Sequence, residues 1–238
     1  MKSFATATIA LSIFTCVNAV WSQTSAPGEQ SMDHAQWRLR RADFIKSMKD
    51  AQSGNANALR HVNEFLTDFD TKPLGRTPLE NMEIVGAYYL PREGVEKCMP
   101  IIAMNAALGW YDALRFASES GRQEIFQNEA LFKRAFVVAG RDAGAAAIKY
   151  GTEHPEEFSR LVEQGLIFAD KNRDAPYDHR WPSIYGLEHS ICAQGGTCAS
   201  NTEMPHDQWD ATWMQARARV KQYFIFAPMA APGPAASK

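Results

Sequence analysis

The chain has 238 residues and a formal net charge of −2, from 25 basic and 27 acidic side chains. This length is sufficient for one sizeable hydrophobic core. The weakly acidic balance excludes the broad basic surface with which proteins bind nucleic acid, so we expect no nucleic-acid partner. No stretch beyond the N-terminal segment approaches the roughly 18 consecutive apolar residues of a membrane-spanning helix, so we expect no membrane span.

The N-terminal segment is typical of a secretory signal peptide. One basic residue is followed by an apolar run, and the run ends in the V-x-A pattern of a cleavage site. We expect cleavage after Ala19 (signal peptide, residues 1–19), a linker over residues 20–32 and a periplasmic mature protein. Lipid attachment at Cys16 is disfavoured, because bulky Phe14 stands where lipoprotein signals prefer small residues.

Residues 33–226 have the pattern of a single α-helical domain. In SMDHAQWRLRRADFIKSMKDAQSG, apolar residues recur at three- and four-residue steps up to Gly54, which predicts an amphipathic helix with a glycine stop. The next segment, NANALRHVNEFLTDFD, predicts a shorter helix whose apolar stripe includes Ala58 and Val62. No segment alternates with the two-residue period of a strand between hairpin turns, so we expect an all-α protein.

The segment GRTPLENM contains a helix start. Thr77 can act as the N-cap, Pro78 suits the first helical position, and Glu80 stands where it completes a capping box. These three residues together predict that a helix begins at Pro78.

Two helical hairpins are predicted after this start, turning at Gly109 and at Gly140. Pro100 lies within the first helix of the first hairpin, and we expect it to kink that helix or to delay its start. Pro155 begins a further predicted helix, PEEFSRLVEQGLIFAD. Consecutive hairpins of this kind are typical of stacked helical repeats.

A polar loop at residues 170–182 interrupts the helices and is the predicted partner-binding element. Tyr, Trp and Arg dominate the energetics of protein interfaces, and long irregular connections often have functional roles. The alternative is that Trp181 packs under the final helix beside Trp209 and Trp213. The predicted binding residues are Tyr177, Asp178, His179, Arg180 and Trp181.

A second loop contains two cysteines and precedes the final predicted amphipathic helix, residues 207–224. In an oxidising compartment, Cys192 and Cys198 can form a disulfide across the flexible sequence AQGGT. The alternatives are two free thiols or a tetrahedral zinc site that adds His189 and His206, but the C-x5-C spacing is wider than in most zinc knuckles. We therefore predict the disulfide and no metal or cofactor. Cys98 is then expected to be a small buried hydrophobe. The Pro- and Ala-rich tail, residues 227–238, is predicted to be disordered.

Short phrases recur along the chain with a period of about 34 residues. ALRFASES resembles AIKYGTEH, and YGLEH follows at a similar interval, so that Glu119, Glu153 and Glu188 occupy equivalent positions. This period is that of stacked two-helix repeats, and it predicts that all three glutamates lie at helix ends. The predicted architecture is a short α-solenoid of stacked helical hairpins with a disulfide-closed C-terminal loop and a final amphipathic helix.

Several phrases resemble known repeat families. GRTPLE is similar to the G-x-T-P-L-H start of the ankyrin repeat, and AALGWYDALRFASESG resembles that family's passage between helices. GNANALRHV also fits the tetratricopeptide and Sel1-like repeats. The resemblance covers residues 50–165 and implies a protein-binding scaffold.

The overall layout, with the segment DHRWPSIYGLEHSICAQGGTC, is similar to that of periplasmic immunity proteins of bacterial toxin systems. That resemblance implies a protein that occludes the active site of a secreted lipase or cell-wall enzyme.

The function expected from these features is an exported, non-enzymatic protein-binding scaffold. It would be an immunity-type inhibitor of a secreted bacterial toxin or a periplasmic adaptor. The alternative is a peptidoglycan hydrolase, because FASES is similar to the Glu-Ser of lytic transglycosylases, in which a lone Glu (here Glu119) protonates the glycosidic oxygen. Recurrence of the glutamate in three phrases favours a structural role.

Overall fold

The structure is a computed structural model. It describes residues 76–187 and 203–226, together with residues 46–47, 50, 55–58, 60–62, 64, 190–191 and 194–195. The signal peptide, linker and tail predicted at residues 1–19, 20–32 and 227–238 lie outside this part of the chain. Its regular elements are all helical, with no strand in the described residues, so the all-α prediction is confirmed.

Seven α-helices are described from their first to their last residue. They are α1 (Pro78–Ile84), α2 (Leu90–Phe116), α3 (Glu119–Gln127), α4 (Arg134–Ala139), α5 (Arg141–Glu153), α6 (Pro155–Lys171) and α7 (Trp209–Lys221). Short 3₁₀ turns occur at Leu131–Lys133, Trp181–Ile184 and His206–Gln208, and π-helical turns at Val85–Tyr89 and Gln222–Phe226. The final helix therefore lies where the sequence predicts it. The shorter predicted helix is confirmed where it is described, and Ala58 and Val62 are buried there.

Helix α1 begins with the predicted capping box. The Thr77 hydroxyl accepts from the Glu80 backbone N–H at 3.4 Å, and the Thr77 N–H donates to Glu80 Oε2 at 2.8 Å. Pro78 occupies the first helical position, where its missing N–H leaves no bond unmade. The local sequence alone fixes this helix start.

Helix α2 is the centre of the core and packs against α6 and α7. Cys98, Ile102 and Tyr111 on this helix have no exposed surface, and Cys98 is the small buried residue that the sequence predicts. The crossing with α6 is close because Gly165 faces α2. A Cβ at this position would lie 2.3 Å from the Pro100 carbonyl oxygen. A helix buried on most of its faces is typical of a globular core.

The predicted turn at Gly109 is wrong, because α2 runs through this residue to Phe116. A Cβ on Gly109 would lie 2.8 Å from the Leu131 side chain, so this glycine permits close packing inside a helix. The non-helical residue in α2 is Gly94, ahead of Pro100, with φ 79° and ψ 177°. Stacked hairpins are therefore not seen in this region.

The predicted breaks at Gly140 and Pro155 are confirmed, since α4 ends before Gly140 and α6 begins at Pro155. The first arm of the hairpin that was predicted to turn at Gly140 is not one helix, because the chain before Gly140 is divided into α3, a 3₁₀ turn and α4. Ala130 adopts a left-handed conformation (φ 50°) at this division, which ends the helical path between Gln127 and Leu131.

The recurring phrases occupy different structural positions. Glu119 begins α3, whereas Glu153 ends α5, and Glu188 lies outside the described residues. Gly186 in YGLEH follows a 3₁₀ turn and has φ 102°, whereas Gly151 in YGTEH lies inside α5. The prediction that these phrases are equivalent helix ends is wrong for the first two. A match of a few residues did not establish a common position in a helix.

Candidate functional site

A fully buried carboxylate, Asp112, lies on the core helix α2. Its neighbours on both sides, Tyr111 and Ala113, are also fully buried, so the helix brings a negative charge into an apolar environment. Such a charge is stable there only when it is paired and hydrogen-bonded.

The loop that follows α6 supplies two hydrogen bonds to this carboxylate. Tyr177 donates its hydroxyl proton to Asp112 Oδ2 at 2.7 Å, and the Trp181 indole N–H donates to the same oxygen at 2.9 Å. Tyr177 and Trp181 are themselves buried. The loop therefore folds inward over α2.

The second carboxylate oxygen faces a guanidinium and an imidazole. Asp112 Oδ1 accepts from Arg115 Nη2 at 2.7 Å and lies 3.0 Å from His179 Nδ1. His179 Nε2 lies 2.9 Å from the Ala175 carbonyl oxygen. Both imidazole nitrogens are therefore engaged, and neither is open to a reacting group.

Arg115 balances the charge of Asp112 in the core. Its side chain is 2% exposed, and its guanidinium stacks 3.8 Å from the Tyr111 ring centroid and 4.5 Å from that of Trp209. Aromatic faces attract cations, most strongly where water is excluded. Arg115 thus joins the buried carboxylate to α7. We call Asp112, Arg115, Tyr177, His179 and Trp181 the carboxylate cluster.

The structure brings three of the five predicted binding residues to Asp112, namely Tyr177, His179 and Trp181. The other two are exposed. Asp178 accepts the Arg180 backbone N–H at 2.9 Å, and the Arg180 guanidinium donates to Glu203 at 3.0 Å. The inward-facing aromatic side chains agree with the packing alternative, although the ring contact described for Trp181 is with Tyr185, at 5.9 Å.

Beyond the cluster, the loop ends on helix α3. The Gly186 N–H donates to Glu124 Oε2 at 2.8 Å, and the Leu187 N–H donates to the Ser120 hydroxyl at 2.9 Å. A Cβ on Gly186 would lie 2.6 Å from the Gly121 nitrogen, so the two backbones touch. The loop backbone is therefore held on α3 at two consecutive residues, Gly186 and Leu187.

Large aliphatic side chains are exposed where the loop ends. Leu187 is 65% exposed, Ile191 44% and Ile184 36%. Leu187 and Ile191 are both helical and stand four residues apart, a spacing that is typical of side chains on one helix face, and Ile184 ends the short turn before them. We call Ile184, Leu187 and Ile191 the apolar segment.

The predicted disulfide Cys192–Cys198 lies outside the described residues, as does His189 of the zinc alternative. In the part of the chain that is described, no three His, Cys, Asp or Glu side chains are grouped so that they could hold a metal ion. Within the same residues, none of the helices has the length and apolarity to cross a membrane.

Asp112 and Arg115 were not among the residues singled out in the sequence. Their signal is present in WYDALRF, where an acidic and a basic residue stand three apart inside an apolar helical pattern. Such a pair lies on one face of a helix. In a helix that is otherwise apolar, it indicates a buried ion pair.

No family model, curated protein or solved structure matches this chain. The ankyrin-like and immunity-protein resemblances therefore stay predictions.

The buried tyrosines predict that stability falls at alkaline pH. Burial, with the Asp112 charge, raises the pKa of Tyr177 well above its usual value, and burial raises the pKa of Tyr223 to about 12. Because both hydroxyls ionise more readily in the unfolded chain, their contribution is complete below about pH 10 and is lost as the pH rises through the folded pKa values. Urea unfolding between about pH 9 and 12 measures this decline. In Tyr223→Phe the free energy of unfolding should fall less steeply with pH, and the same fall as in wild type would contradict the prediction.

Proposed function

We propose that this chain is an exported, non-catalytic protein-binding scaffold whose partner docks on the apolar segment. The observation that supports the proposal is the exposure of Ile184, Leu187 and Ile191 on a backbone held by α3. Exposed aliphatic side chains grouped in a short stretch are typical of an interaction site.

The anchoring of the segment favours binding. Side chains on a backbone that is already ordered lose less conformational entropy when a partner binds. The Gly186 and Leu187 hydrogen bonds to Glu124 and Ser120 supply that order. The partner that fits is a folded protein with an apolar cleft that accepts two or three aliphatic side chains.

The geometry of the carboxylate cluster argues against catalysis at this site. Asp112 is sealed from solvent, and both ring nitrogens of His179 face oxygens. A general acid or base must reach the proton that it transfers. Glu119, the acid of the alternative hydrolase function, is exposed at the first position of α3. Glycosidase acids instead lie in shielded environments that retain the proton.

The narrower form of the proposal is an immunity-type inhibitor of a secreted bacterial toxin, or a periplasmic adaptor. It is supported by the signal-like N-terminus and by the helical fold, which suits a binding surface. Stacked helical hairpins are part of this proposal for α4, α5 and α6, where consecutive helices contact each other. An apolar cleft in a secreted enzyme is the kind of surface that the segment could occlude.

The test is a comparison of two double variants in capture from the source organism. Leu187→Ser with Ile191→Ser removes two members of the apolar segment. Val137→Ser with Met214→Ser is the matched control, since these side chains are 57% and 63% exposed on α4 and α7. We expect wild type and control to retain one stoichiometric exported protein. The segment variant should bind this protein, once purified, at least about tenfold more weakly in calorimetry, a loss of about 1.4 kcal/mol.

Equal capture by both double variants, or no stoichiometric partner with wild type, would overturn the proposal. The hydrolase alternative is tested in parallel with purified peptidoglycan. Release of glycan by wild type that disappears in Glu119→Gln would replace the scaffold function with an enzymatic one.

A further inference from the structure

We infer that Asp112 is the positioning residue of the apolar segment, although it is buried and touches no partner. The inference rests on the proposed function only in treating that segment as the binding surface. The Asp112 carboxylate in α2 holds the loop, and the loop in turn sets the positions of Ile184 and Leu187.

The Asp112 carboxylate attaches the loop to the core. Three loop side chains, Tyr177, His179 and Trp181, converge on Asp112 at 2.7 to 3.0 Å. Several backbone bonds within the loop are local, such as those from Ala175 to Asn172 and from Tyr177 to Ala175. Local turns shape a loop, but they do not attach it to a neighbouring helix.

The same loop also forms an ion pair outside the carboxylate cluster. Arg180 pairs with Glu203, but the Arg180 side chain is 63% exposed. Exposed ion pairs are weak because water and salt screen them. Hydrogen bonds to a charged group inside the core are about twice as strong as neutral ones. The carboxylate cluster is therefore a stronger attachment of the loop than the Arg180–Glu203 pair, and it precedes in sequence the backbone bonds that hold Gly186 and Leu187 on α3.

The position of Trp181 in turn fixes the start of the apolar segment. Trp181 opens the 3₁₀ turn Trp181–Ile184, and Ile184 is the first residue of that segment. The Trp181 ring meets the Tyr185 ring edge-on at 5.9 Å, and the Tyr185 N–H donates to the Pro182 carbonyl oxygen. A shift of Trp181 is thus transmitted within four residues to Ile184 and Tyr185.

An amide cannot replace the Asp112 carboxylate. Both oxygens of Asp112 accept, one from Tyr177 and Trp181, the other from Arg115. Asparagine offers one acceptor oxygen and one NH₂ donor. In Asp112→Asn, the NH₂ group replaces one of the two acceptor oxygens. In one orientation of the amide it faces the Tyr177 and Trp181 donors, and in the other it faces the Arg115 donor. The substitution keeps the size of the side chain and breaks one half of the cluster.

The experiment is amide hydrogen exchange of the full chain, measured without any partner. In Asp112→Asn we expect the amides of Tyr177, Trp181, Tyr185 and Leu187 to exchange at least about tenfold faster, while those of α6 stay unchanged. Asp210→Asn is the matched control, because Asp210 is an 87% exposed partner of Arg173 at the same 2.7 Å distance. It should leave loop exchange unchanged.

A second variant keeps the test decisive if Asp112→Asn does not fold. Tyr177→Phe removes one hydrogen bond to the carboxylate and keeps the ring that lies 4.2 Å from His179. It should accelerate the same amides by about threefold to tenfold, and Tyr150→Phe in α5 should not. Faster exchange at Trp181 with no change at Tyr185 and Leu187 would overturn the inference, as would unchanged exchange throughout. Because no partner is present, either result is separate from a failure of the proposed function.

Discussion

Replacing Asp112 with alanine is expected to destabilise the protein by about 3–5 kcal/mol, a large share of the stability of a domain. The substitution leaves Arg115 in the core, 2% exposed, without its carboxylate. It also removes the acceptor of the Tyr177 hydroxyl and the Trp181 indole N–H. Buried donors that lose their acceptor are destabilising because folding still removes their water. Urea unfolding followed by circular dichroism measures the loss as a lower midpoint with an unchanged slope.

The matched control is Asp210→Ala. The Arg173–Asp210 pair has the same 2.7 Å separation as the Arg115–Asp112 pair, but Asp210 is 87% exposed. Exposed pairs contribute about 0–1 kcal/mol. Burial is therefore the main difference between the two pairs. Similar losses in the two variants would show that the carboxylate cluster does not stabilise the core.

Sequence signals were reliable where the chemistry is local. Thr77, Pro78 and Glu80 satisfy each other within one turn, so the capping box could be predicted without knowledge of the rest of the fold. The same holds for the helix that begins at Pro155 and for the break at Gly140, which has φ 100°. These positions depend on backbone conformations that the residues themselves prefer.

Sequence signals failed where a residue's role depends on a distant neighbour. Gly109 has the appearance of a turn residue, but its missing side chain makes room for Leu131 inside the core. Ala130 adopts a left-handed conformation that its residue type disfavours. Both roles are set by tertiary packing, and they cannot be predicted from the preferences of the residues themselves.

Only part of the candidate site could be predicted, because its loop is recognisable locally and its acceptor is distant in sequence. The loop with Tyr177 and Trp181 could be singled out by composition, but its acceptor, Asp112, lies 65 residues from Tyr177 along the chain. A single sequence does not specify such a long-range pair. The direction of the loop side chains, inward to α2, followed only from the structure. Because Tyr177 and Trp181 are buried, we propose the exposed apolar segment as the binding surface.

The second large effect is expected from Gly186→Ala, which should destabilise the protein by about 2–6 kcal/mol. Gly186 has φ 102°, a conformation that side-chain-bearing residues adopt only with strain of about 1–3 kcal/mol. The added Cβ would also lie 2.6 Å from the Gly121 nitrogen and 2.7 Å from the Ser120 hydroxyl. Because one of these atoms is backbone, relief requires that the loop move away from α3. Overpacking of this kind adds about 1–3 kcal/mol.

Gly94→Ala separates the two contributions, since Gly94 also has a positive φ (79°) but would place its Cβ in open space. Gly94→Ala should therefore reduce the free energy of unfolding by the strain contribution alone, about 1–3 kcal/mol in the same urea unfolding. The displaced loop gives a second readout. Movement of Gly186 breaks the hydrogen bonds that hold Gly186 and Leu187 to Glu124 and Ser120. Amide exchange at Leu187 should therefore accelerate in Gly186→Ala and not in Gly94→Ala. Equal losses of stability with equal exchange would mean that the contact with α3 does not fix the apolar segment.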